Sequence, residues 1–290
     1  MKQDAKMLLP KKELRISITS KCNMKCVYCH NEGNEKNAEL NITQIRKIIE
    51  AALDYGLTSV RLTGGEPLVH PHIEEICQML AREYGLSVGI NTNGILIPKL
   101  LPLIRAGLVD RVVVGIDYFH HAVSKQSPIG VPSHIILENV LKVRDTGCDV
   151  NIDVVFQDNY NNIANMVRWG IDNRIRVKII EEVKRDVSAP INSSYSFMEQ
   201  KILEQFHMDC VKDSMNEING YIGDFRAVSF LHSLCRLGDC EICKLNMPLR
   251  ITASGILKPC IIHSENDITL DETEIQNSFI YMLKNFSYRV

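Results

Sequence analysis

Strand-like segments alternate with helix-like segments between residues 14 and 180, and this regularity constrains the fold more than any other feature of the sequence. Short apolar runs, or apolar residues at every second position, predict strands. They cover residues 14–18, 59–62, 86–91, 111–116, 150–156 and 175–180. Apolar residues at helical spacing predict the helices between them. These cover residues 41–55, 71–84, 98–106, 133–146 and 161–173.

Strands that alternate with helices indicate an α/β fold with a parallel sheet, because each helix carries the chain back to the same end of the sheet. Six such units over roughly 170 residues are too few for a closed eight-fold barrel of about 250 residues. We therefore predict a partial (βα)6 barrel over residues 12–185, with ligands at the carboxyl ends of its strands. Residues 186–290 are richer in cysteine and predict a small C-terminal extension.

Net charge and hydropathy exclude several classes of partner. The formal net charge of −2 gives the chain no overall attraction to nucleic acid or to a membrane surface. No apolar run is long enough to cross a bilayer, and the N-terminus lacks the apolar core of a secretion signal, so we expect a cytoplasmic protein. In a reducing compartment, ten cysteines indicate metal or redox chemistry rather than disulfides.

A cysteine triplet directly follows the first predicted strand. Cys22, Cys26 and Cys29 have the spacing C-x3-C-x2-C. Three thiolates on one loop can hold three irons of a cubane 4Fe–4S cluster and leave the fourth iron open for a ligand, whereas a cluster with four cysteines usually carries only electrons. A zinc site is the alternative, but structural zinc prefers two pairs of ligands, and His30 would crowd the site. These cysteines are the candidate catalytic and metal-binding residues.

The triplet and the strand ends that follow it resemble the motifs of the radical SAM superfamily. The resemblance implies an oxygen-sensitive enzyme in which the reduced cluster cleaves S-adenosylmethionine (SAM) to a 5′-deoxyadenosyl radical that abstracts hydrogen from a substrate. It implies that Tyr28 lies near the adenine and that a glycine-rich turn and two further strand ends contact SAM. The candidate cofactor-binding residues at these strand ends are Gly64, Gly65, Glu66, Pro67, Asn91, Thr92, Asn93 and Asp117.

A second cysteine group lies in the C-terminal region. Cys240, Cys243 and Cys260 have the spacing C-x2-C-x16-C, and residues 249–259 predict a hairpin that turns at Ser254 and Gly255. The hairpin would return Cys260 close to the C-x2-C pair. Three interpretations stay open: a zinc site with Cys235 as the fourth ligand, a C-x2-C redox pair, and a second iron–sulfur cluster.

The chain from about residue 13 to 266 is similar to the GTP 3′,8-cyclase family of molybdenum-cofactor biosynthesis. The resemblance implies that Cys240, Cys243 and Cys260 hold a second 4Fe–4S cluster, and that Arg15 and Arg250 contact the substrate. Glu181 ends the segment that resembles the family's sixth strand, and at that strand end it is a further candidate cofactor-binding residue, able to orient SAM or substrate. The spacing between Cys243 and Cys260 is longer than is usual there, and the family's double-glycine tail is absent.

The sequence therefore predicts a radical SAM enzyme with a small-molecule substrate. The best candidate is a purine nucleotide such as GTP, cyclised or rearranged, and the alternative is modification of a ribosomally made peptide or natural-product precursor. A low-potential donor such as flavodoxin or ferredoxin would supply the electron.

Overall fold

The computed structural model describes most of the chain. The described residues are 8–26, 29, 37–119, 131–182, 193–214, 216–234, 243, 247–261, 263–271 and 273–285.

All six predicted strands are present, and they form one parallel sheet in the order β1-β2-β3-β4-β5-β6. Their bounds are β1 Glu13–Thr19, β2 Ser59–Gly64, β3 Ser87–Thr92, β4 Arg111–Gly115, β5 Asp149–Phe156 and β6 Arg176–Glu181.

The predicted helices are also present. They are α1 Ile42–Leu53, α2 Ile73–Gln78, α3 Ile97–Arg105, α4 Ser133–Arg144 and α5 Tyr160–Asn173. A π-helical turn, Met79–Glu83, follows α2. Among the described residues of the C-terminal part, two helices are present, α6 Ser193–Gln205 and α7 Ile275–Asn285.

The sheet has an apolar face and a polar face. On β1, Leu14, Ile16 and Ile18 are fully buried in the main hydrophobic core. The alternate side chains point to the opposite face, because successive strand residues do so. There, Arg15 of β1 and Asp153 of β5 line the same cavity. In a flat sheet these strands would lie about 19 Å apart, so the sheet curves around its polar face as the predicted partial barrel.

The C-terminal part extends this sheet at both edges. The additional strands are β7 Asp209–Lys212, β8 Glu217–Ile222, β9 Phe225–Leu231, β10 Leu249–Ile251, β11 Ile256–Lys258 and β12 Ile268–Thr269. β9 runs parallel to β6 and β10 runs parallel to β1, so the described strands form one twelve-stranded sheet. The domain boundary near residue 185 lies outside the described residues and stays a prediction.

The predicted hairpin between residues 249 and 259 is present as β10 and β11. Gly255 has φ +75° at its turn, a conformation that favours glycine. Farther along the chain, Phe279 of α7 stacks on Tyr55 at 6.1 Å between ring centroids. No helix in the described ranges combines the length and the apolar character needed to cross a membrane.

Candidate functional site

The cysteine triplet lies on the loop that leaves the carboxyl end of β1. Cys22 and Cys29 are exposed, and Cys26 is half-buried. The Cys29 N–H donates a hydrogen bond to the Cys26 carbonyl at 3.2 Å, which closes a turn between the last two cysteines. Burial around the sulfur raises the pKa of the Cys22 thiol, and a hydrogen bond from the Met24 N–H opposes that rise. Tyr28 lies outside the described residues.

Two glycines at the end of β2 allow the backbone to press against this cysteine loop. A Cβ atom on Gly64 would lie 2.2 Å from the Thr19 carbonyl oxygen, and one on Gly65 would lie 2.3 Å from the Lys21 carbonyl oxygen. Gly64 also has φ +142°. The Gly65 N–H donates to the Thr19 carbonyl at 2.7 Å. The glycines are therefore needed for contact between two backbone segments.

Glu66 joins the glycine turn to the end of β3. Its side chain is fully buried and accepts three hydrogen bonds, from the Leu68 N–H at 3.1 Å, the Thr92 hydroxyl at 2.8 Å and the Asn93 N–H at 2.7 Å. Burial raises the pKa of the Glu66 carboxyl, although these hydrogen bonds oppose the rise. A side chain so enclosed positions its neighbours rather than reaching into the cavity. Pro67, also buried, begins a short 3₁₀ turn.

Asn93 in turn joins the end of β3 to the cysteine loop. Its side-chain nitrogen donates to the Asn23 Oδ1 at 2.6 Å and lies 4.0 Å from the Cys22 sulfur. Together with Glu66, it connects the ends of β1, β2 and β3 through direct hydrogen bonds. Three segments that are distant in sequence thus form one continuous wall.

A cavity of about 240 Å³ opens beside this wall. Its lining includes Cys26, Gly65, Asn91, Thr92, Asn93 and Asp117. The Asn91 Oδ1 is buried and accepts no hydrogen bond from any described residue. Such an atom is costly unless a ligand or water donates to it. Asp117 is held from its backbone, because the Asn162 side chain donates to its carbonyl at 2.6 Å.

The residues present fit both an iron–sulfur cluster and SAM. The sulfurs of the triplet suit the cluster, and the buried Asn91 Oδ1 suits a ligand that donates a hydrogen bond. Three sulfurs on one short loop are suitable ligands for a cluster, and the loop's neighbours provide a cavity with an unsatisfied acceptor. Within the described ranges, however, no three His, Cys, Asp or Glu side chains are grouped closely enough to hold a metal ion. The set of ligands therefore stays a prediction.

Cationic side chains stand in register on the polar face of the sheet. Arg15 of β1 lies opposite Arg61 of β2 on one side and opposite Arg250 of β10 on the other, and Arg250 lies opposite Lys258 of β11. Arg61 forms an ion pair with Glu13 at 3.0 Å. Like charges directly opposite each other on neighbouring strands repel. Such a row is therefore suited to an anionic ligand.

The two described cysteines of the second group, Cys243 and Cys260, lie toward the other end of the strands. Cys243 precedes β10, and Cys260 follows β11, which runs antiparallel to β10. Both therefore lie near the start of β10, whereas the triplet follows the end of the parallel strand β1. Cys235 and Cys240 lie outside the described residues. Glu181, at the end of β6, is buried and accepts a hydrogen bond from the Ser233 N–H at 3.0 Å.

The polar face carries other ionisable residues that were not predicted from the sequence, namely Arg61, Asp153, Arg176, Lys178 and Lys258. The signal was present, because charged or polar residues at every second position of strands in a buried parallel sheet must face a polar interior. The stretch from Asp149 to Asp153 shows it with Asp, Asn and Asp at alternate positions.

Relatives with curated names share most of the chain's length. A GTP 3′,8-cyclase of Alkaliphilus oremlandii is 28% identical over 89% of this chain and 82% of its own length. A probable GTP 3′,8-cyclase of Methanococcus maripaludis is 26% identical over 88% of this chain and 86% of its own.

Solved structures share the fold at lower identity. SuiB of Streptococcus suis bound to precursor peptide SuiA matches with a TM-score of 0.72 and 16% identity, over 95% of this chain and 65% of SuiB. This chain thus spans about two thirds of the length of SuiB. The enzyme anSMEcpe with bound AdoMet matches with a TM-score of 0.67 and 15% identity, over 96% of this chain and 82% of its own.

The family model of the radical SAM superfamily matches residues 16–170, which is more than half of the 290-residue chain. The match covers the cysteine triplet, the glycine turn and the end of β3, and it confirms the predicted fold class. The chain therefore belongs to the radical SAM superfamily, an enzyme family whose cofactors are a 4Fe–4S cluster and S-adenosylmethionine.

Proposed function

We propose that Cys22, Cys26 and Cys29 hold the cluster and that SAM binds in the adjoining cavity. When bound and reduced, the cluster supplies the electron that cleaves SAM to a 5′-deoxyadenosyl radical. The surrounding residues bind and orient. The Asn91 Oδ1 accepts a hydrogen bond from SAM, and Asp117 lines the same cavity. Tyr28 is assigned to the adenine by resemblance alone.

Glu66, Asn93 and Gly65 shape the SAM site indirectly. Glu66 fixes the backbone at Asn93, and Asn93 fixes the cysteine loop through Asn23. Gly65 admits the close contact with Lys21. Because orientation of reacting groups contributes strongly to rate, small shifts of this wall should lower turnover.

The substrate we propose is a purine nucleotide such as GTP, which the enzyme cyclises or rearranges. The row formed by Lys258, Arg250, Arg15 and Arg61 carries this proposal. A polyphosphate provides the anion that such a row is suited to bind, and arginine suits it particularly because its planar fork matches phosphate oxygens. The names of the curated relatives support the same substrate class.

We further propose that Cys240, Cys243 and Cys260, with Cys235 as a candidate fourth ligand, hold an auxiliary 4Fe–4S cluster. The position of Cys243 and Cys260 near the start of β10 would put this cluster across the polar face from the first one, with the substrate between them. A flavodoxin or ferredoxin is the proposed electron donor. The thiols of both groups favour a reducing compartment, and hence the cytoplasm.

An anaerobic assay tests the nucleotide. Reconstituted enzyme is incubated with SAM, dithionite and GTP, and 5′-deoxyadenosine and the nucleotide product are measured. We expect GTP to stimulate 5′-deoxyadenosine formation. Arg250→Gln should raise the KM for GTP about tenfold or more, because a charged hydrogen bond is lost. Arg46→Gln is the matched control, since Arg46 pairs with Glu83 on the exposed side of α1. If the rate of SAM cleavage were the same with and without GTP, GTP would be excluded as the substrate.

A second candidate function is the radical modification of a peptide. The similarity in fold to SuiB bound to its precursor peptide favours it. A peptide encoded beside this chain would be the substrate to test. SAM cleavage stimulated by that peptide, with a matching change in the peptide's mass, would replace the nucleotide proposal.

A further inference from the structure

Asp153 is a carboxylate on the polar face that the roles proposed above do not use. It lies in β5, level with Gly115 of β4 and Lys178 of β6. Its side chain lines the same cavity as Arg15 and Cys26. Asp153 therefore borders a cavity that a member of the cationic row and a member of the cysteine loop also line.

One oxygen of this carboxylate is available to a ligand. The Asn151 side chain donates to the Asp153 Oδ1 at 2.7 Å. No described residue donates a hydrogen bond to the Oδ2, and Asp153 forms no direct ion pair within the described ranges, although Lys178, Arg15 and Arg61 attract it electrostatically. A single side-chain donor leaves most of the acceptor capacity of a carboxylate unused.

Burial raises the pKa of the Asp153 carboxyl, and the surrounding cations oppose the rise. A carboxylate in such a place is costly for folding unless it is paired. Perturbed carboxylates that line cavities are enriched at functional sites.

Space for a ligand group exists directly beside Asp153. Gly115, its neighbour in register, has no side chain, and a Cβ atom there would meet nothing nearer than the Thr92 carbonyl oxygen at 3.9 Å. The opening lies on the cavity wall that Asn91 also lines. A ligand group that enters this opening would therefore lie beside the Asp153 carboxylate, to which it could donate a hydrogen bond.

We propose that Asp153 is a specificity-determining residue that accepts a hydrogen bond from a hydroxyl or amino group of the nucleotide. The cavity then selects a ligand with two properties, an anionic end for the cationic row and a hydrogen-bond donor at the nucleoside end. Simple polyphosphates satisfy the first property and fail the second. This inference rests on the nucleotide substrate proposed above.

Asp153→Asn separates the two properties. The amide oxygen can still accept from Asn151, so local structure should be retained, while an N–H group replaces the acceptor that faces the cavity. The variant also removes one negative charge from a cation-rich site, which strengthens the attraction for any anion. Asp149→Asn is the matched control, because Asp149 lies on the same strand and forms an exposed pair with Arg111 at 2.7 Å.

Equilibrium binding to the reconstituted enzyme, without SAM or reductant, gives the readout. The ligands are GTP, inosine triphosphate, which lacks the 2-amino group, 2′-deoxy-GTP, 3′-deoxy-GTP and inorganic tripolyphosphate. Asp153→Asn should weaken the binding of GTP about tenfold or more, as expected for the loss of a hydrogen bond to a charged group. The binding of tripolyphosphate should be unchanged or tighter. Asp149→Asn should behave as wild type with both ligands.

The ligand series also identifies the donor. The analogue that lacks the donor group should bind the wild-type enzyme more weakly than GTP does. Asp153→Asn should not weaken the binding of that analogue any further, because two groups in direct contact have non-additive effects. An equal loss for tripolyphosphate and GTP, or the same loss for every nucleotide, would overturn the role of Asp153. If wild type bound neither GTP nor tripolyphosphate, the nucleotide proposal itself would fail, and this inference with it.

Discussion

The Glu66 carboxylate accepts a hydrogen bond from the Asn93 backbone N–H at 2.7 Å, across a gap of 27 residues in sequence. This bond joins the glycine turn after β2 to the end of β3. The other carboxylate oxygen accepts from the Leu68 N–H and the Thr92 hydroxyl. A buried acceptor with two oxygens thus organises two of the three strand ends that surround the cysteine loop.

Glu66→Gln should destabilise the enzyme despite its nearly identical shape. The new amide group must face a backbone N–H, of either Leu68 or Asn93, and two donors then oppose each other in a buried site. We expect a loss of about 1–3 kcal/mol in the free energy of unfolding, measured by urea denaturation, together with lower SAM cleavage. Glu50→Gln is the control, since the exposed Glu50 accepts from the Tyr84 hydroxyl and an amide oxygen can replace it. Equal stability of the two variants would contradict this account of Glu66.

Gly65→Ala should disturb the cysteine loop through a steric contact. The added methyl group would lie 2.3 Å from the Lys21 carbonyl, and backbone cannot yield as a flexible side chain can. We expect about 1–3 kcal/mol of destabilisation, typical of overpacking, and less iron bound after anaerobic reconstitution. In Gly89→Ala, on β3, the methyl group would meet its nearest neighbours at 3.9 Å. That control should bind iron as wild type does. Normal iron binding by Gly65→Ala would show that the loop tolerates the displacement.

The strands and helices of the barrel could be predicted because their residues carry a local periodic signal. In β1, for example, apolar residues at alternate positions predict the strand, and the structure buries all three of them, Leu14, Ile16 and Ile18. The hairpin of β8 and β9 went unpredicted, although its turn contains Gly223 at φ +58° between apolar segments. Its position beside β6 depends on long-range pairing, which no short window of sequence contains.

The site was predictable in part for the same reason. The glycine turn and the cysteine triplet are short motifs that a sequence displays directly. The hydrogen bonds of Glu66 depend on the pairing of β2 with β3. The place of Asp153 in one cavity with Arg15 depends on the curvature of the sheet, which brings β1 and β5 together. The sequence predicts that Gly65 contacts a ligand, and in the structure Gly65 both lines the cavity and packs against the Lys21 backbone. Spacing along a chain cannot distinguish these two surfaces.

Thiol labelling should separate the cysteines of the cluster loop from the structural ones. Burial raises the pKa of the Cys77 thiol to about 12 and that of Cys148 to about 11. At pH 8 the thiolate fraction of both is therefore on the order of 0.1% or less, and the thiolate is the reactive form. In apoprotein we expect iodoacetamide to modify the exposed Cys29, to modify the exposed Cys22 more slowly because its pKa is also raised, and to leave Cys77 unmodified.

The pH dependence and the effect of the cluster complete that test. Because the raised pKa values hold Cys77 and Cys148 protonated, their labelling should increase only as the pH rises toward those values. Reconstitution with iron and sulfide should protect Cys22 and Cys29, while the exposed Cys210 stays reactive as an internal control. Mass spectrometry of the digested protein gives each site separately. Labelling of Cys22 and Cys29 that reconstitution leaves unchanged would argue against their role as ligands.

Asp267 should matter more for stability than its place in a C-terminal loop suggests. It forms an ion pair with Lys258, whose side chain is 8% exposed, at the end of the cationic row. Asp267→Asn would leave a buried ammonium group without its charged partner, and we expect about 3–5 kcal/mol of destabilisation. The comparison is Asp149→Asn, which breaks an ion pair with Arg111 whose side chains are 40% and 54% exposed and should cost less than about 1 kcal/mol. Thermal unfolding of both variants in low and high salt measures the difference.

Salt should reduce the cost in stability of Asp149→Asn and affect that of Asp267→Asn less, because buried ion pairs are poorly screened. A bound polyphosphate should restore part of the lost stability of Asp267→Asn, since the anion would neutralise the same row. Restoration of Asp149→Asn to the same extent would instead indicate general binding to exposed arginines.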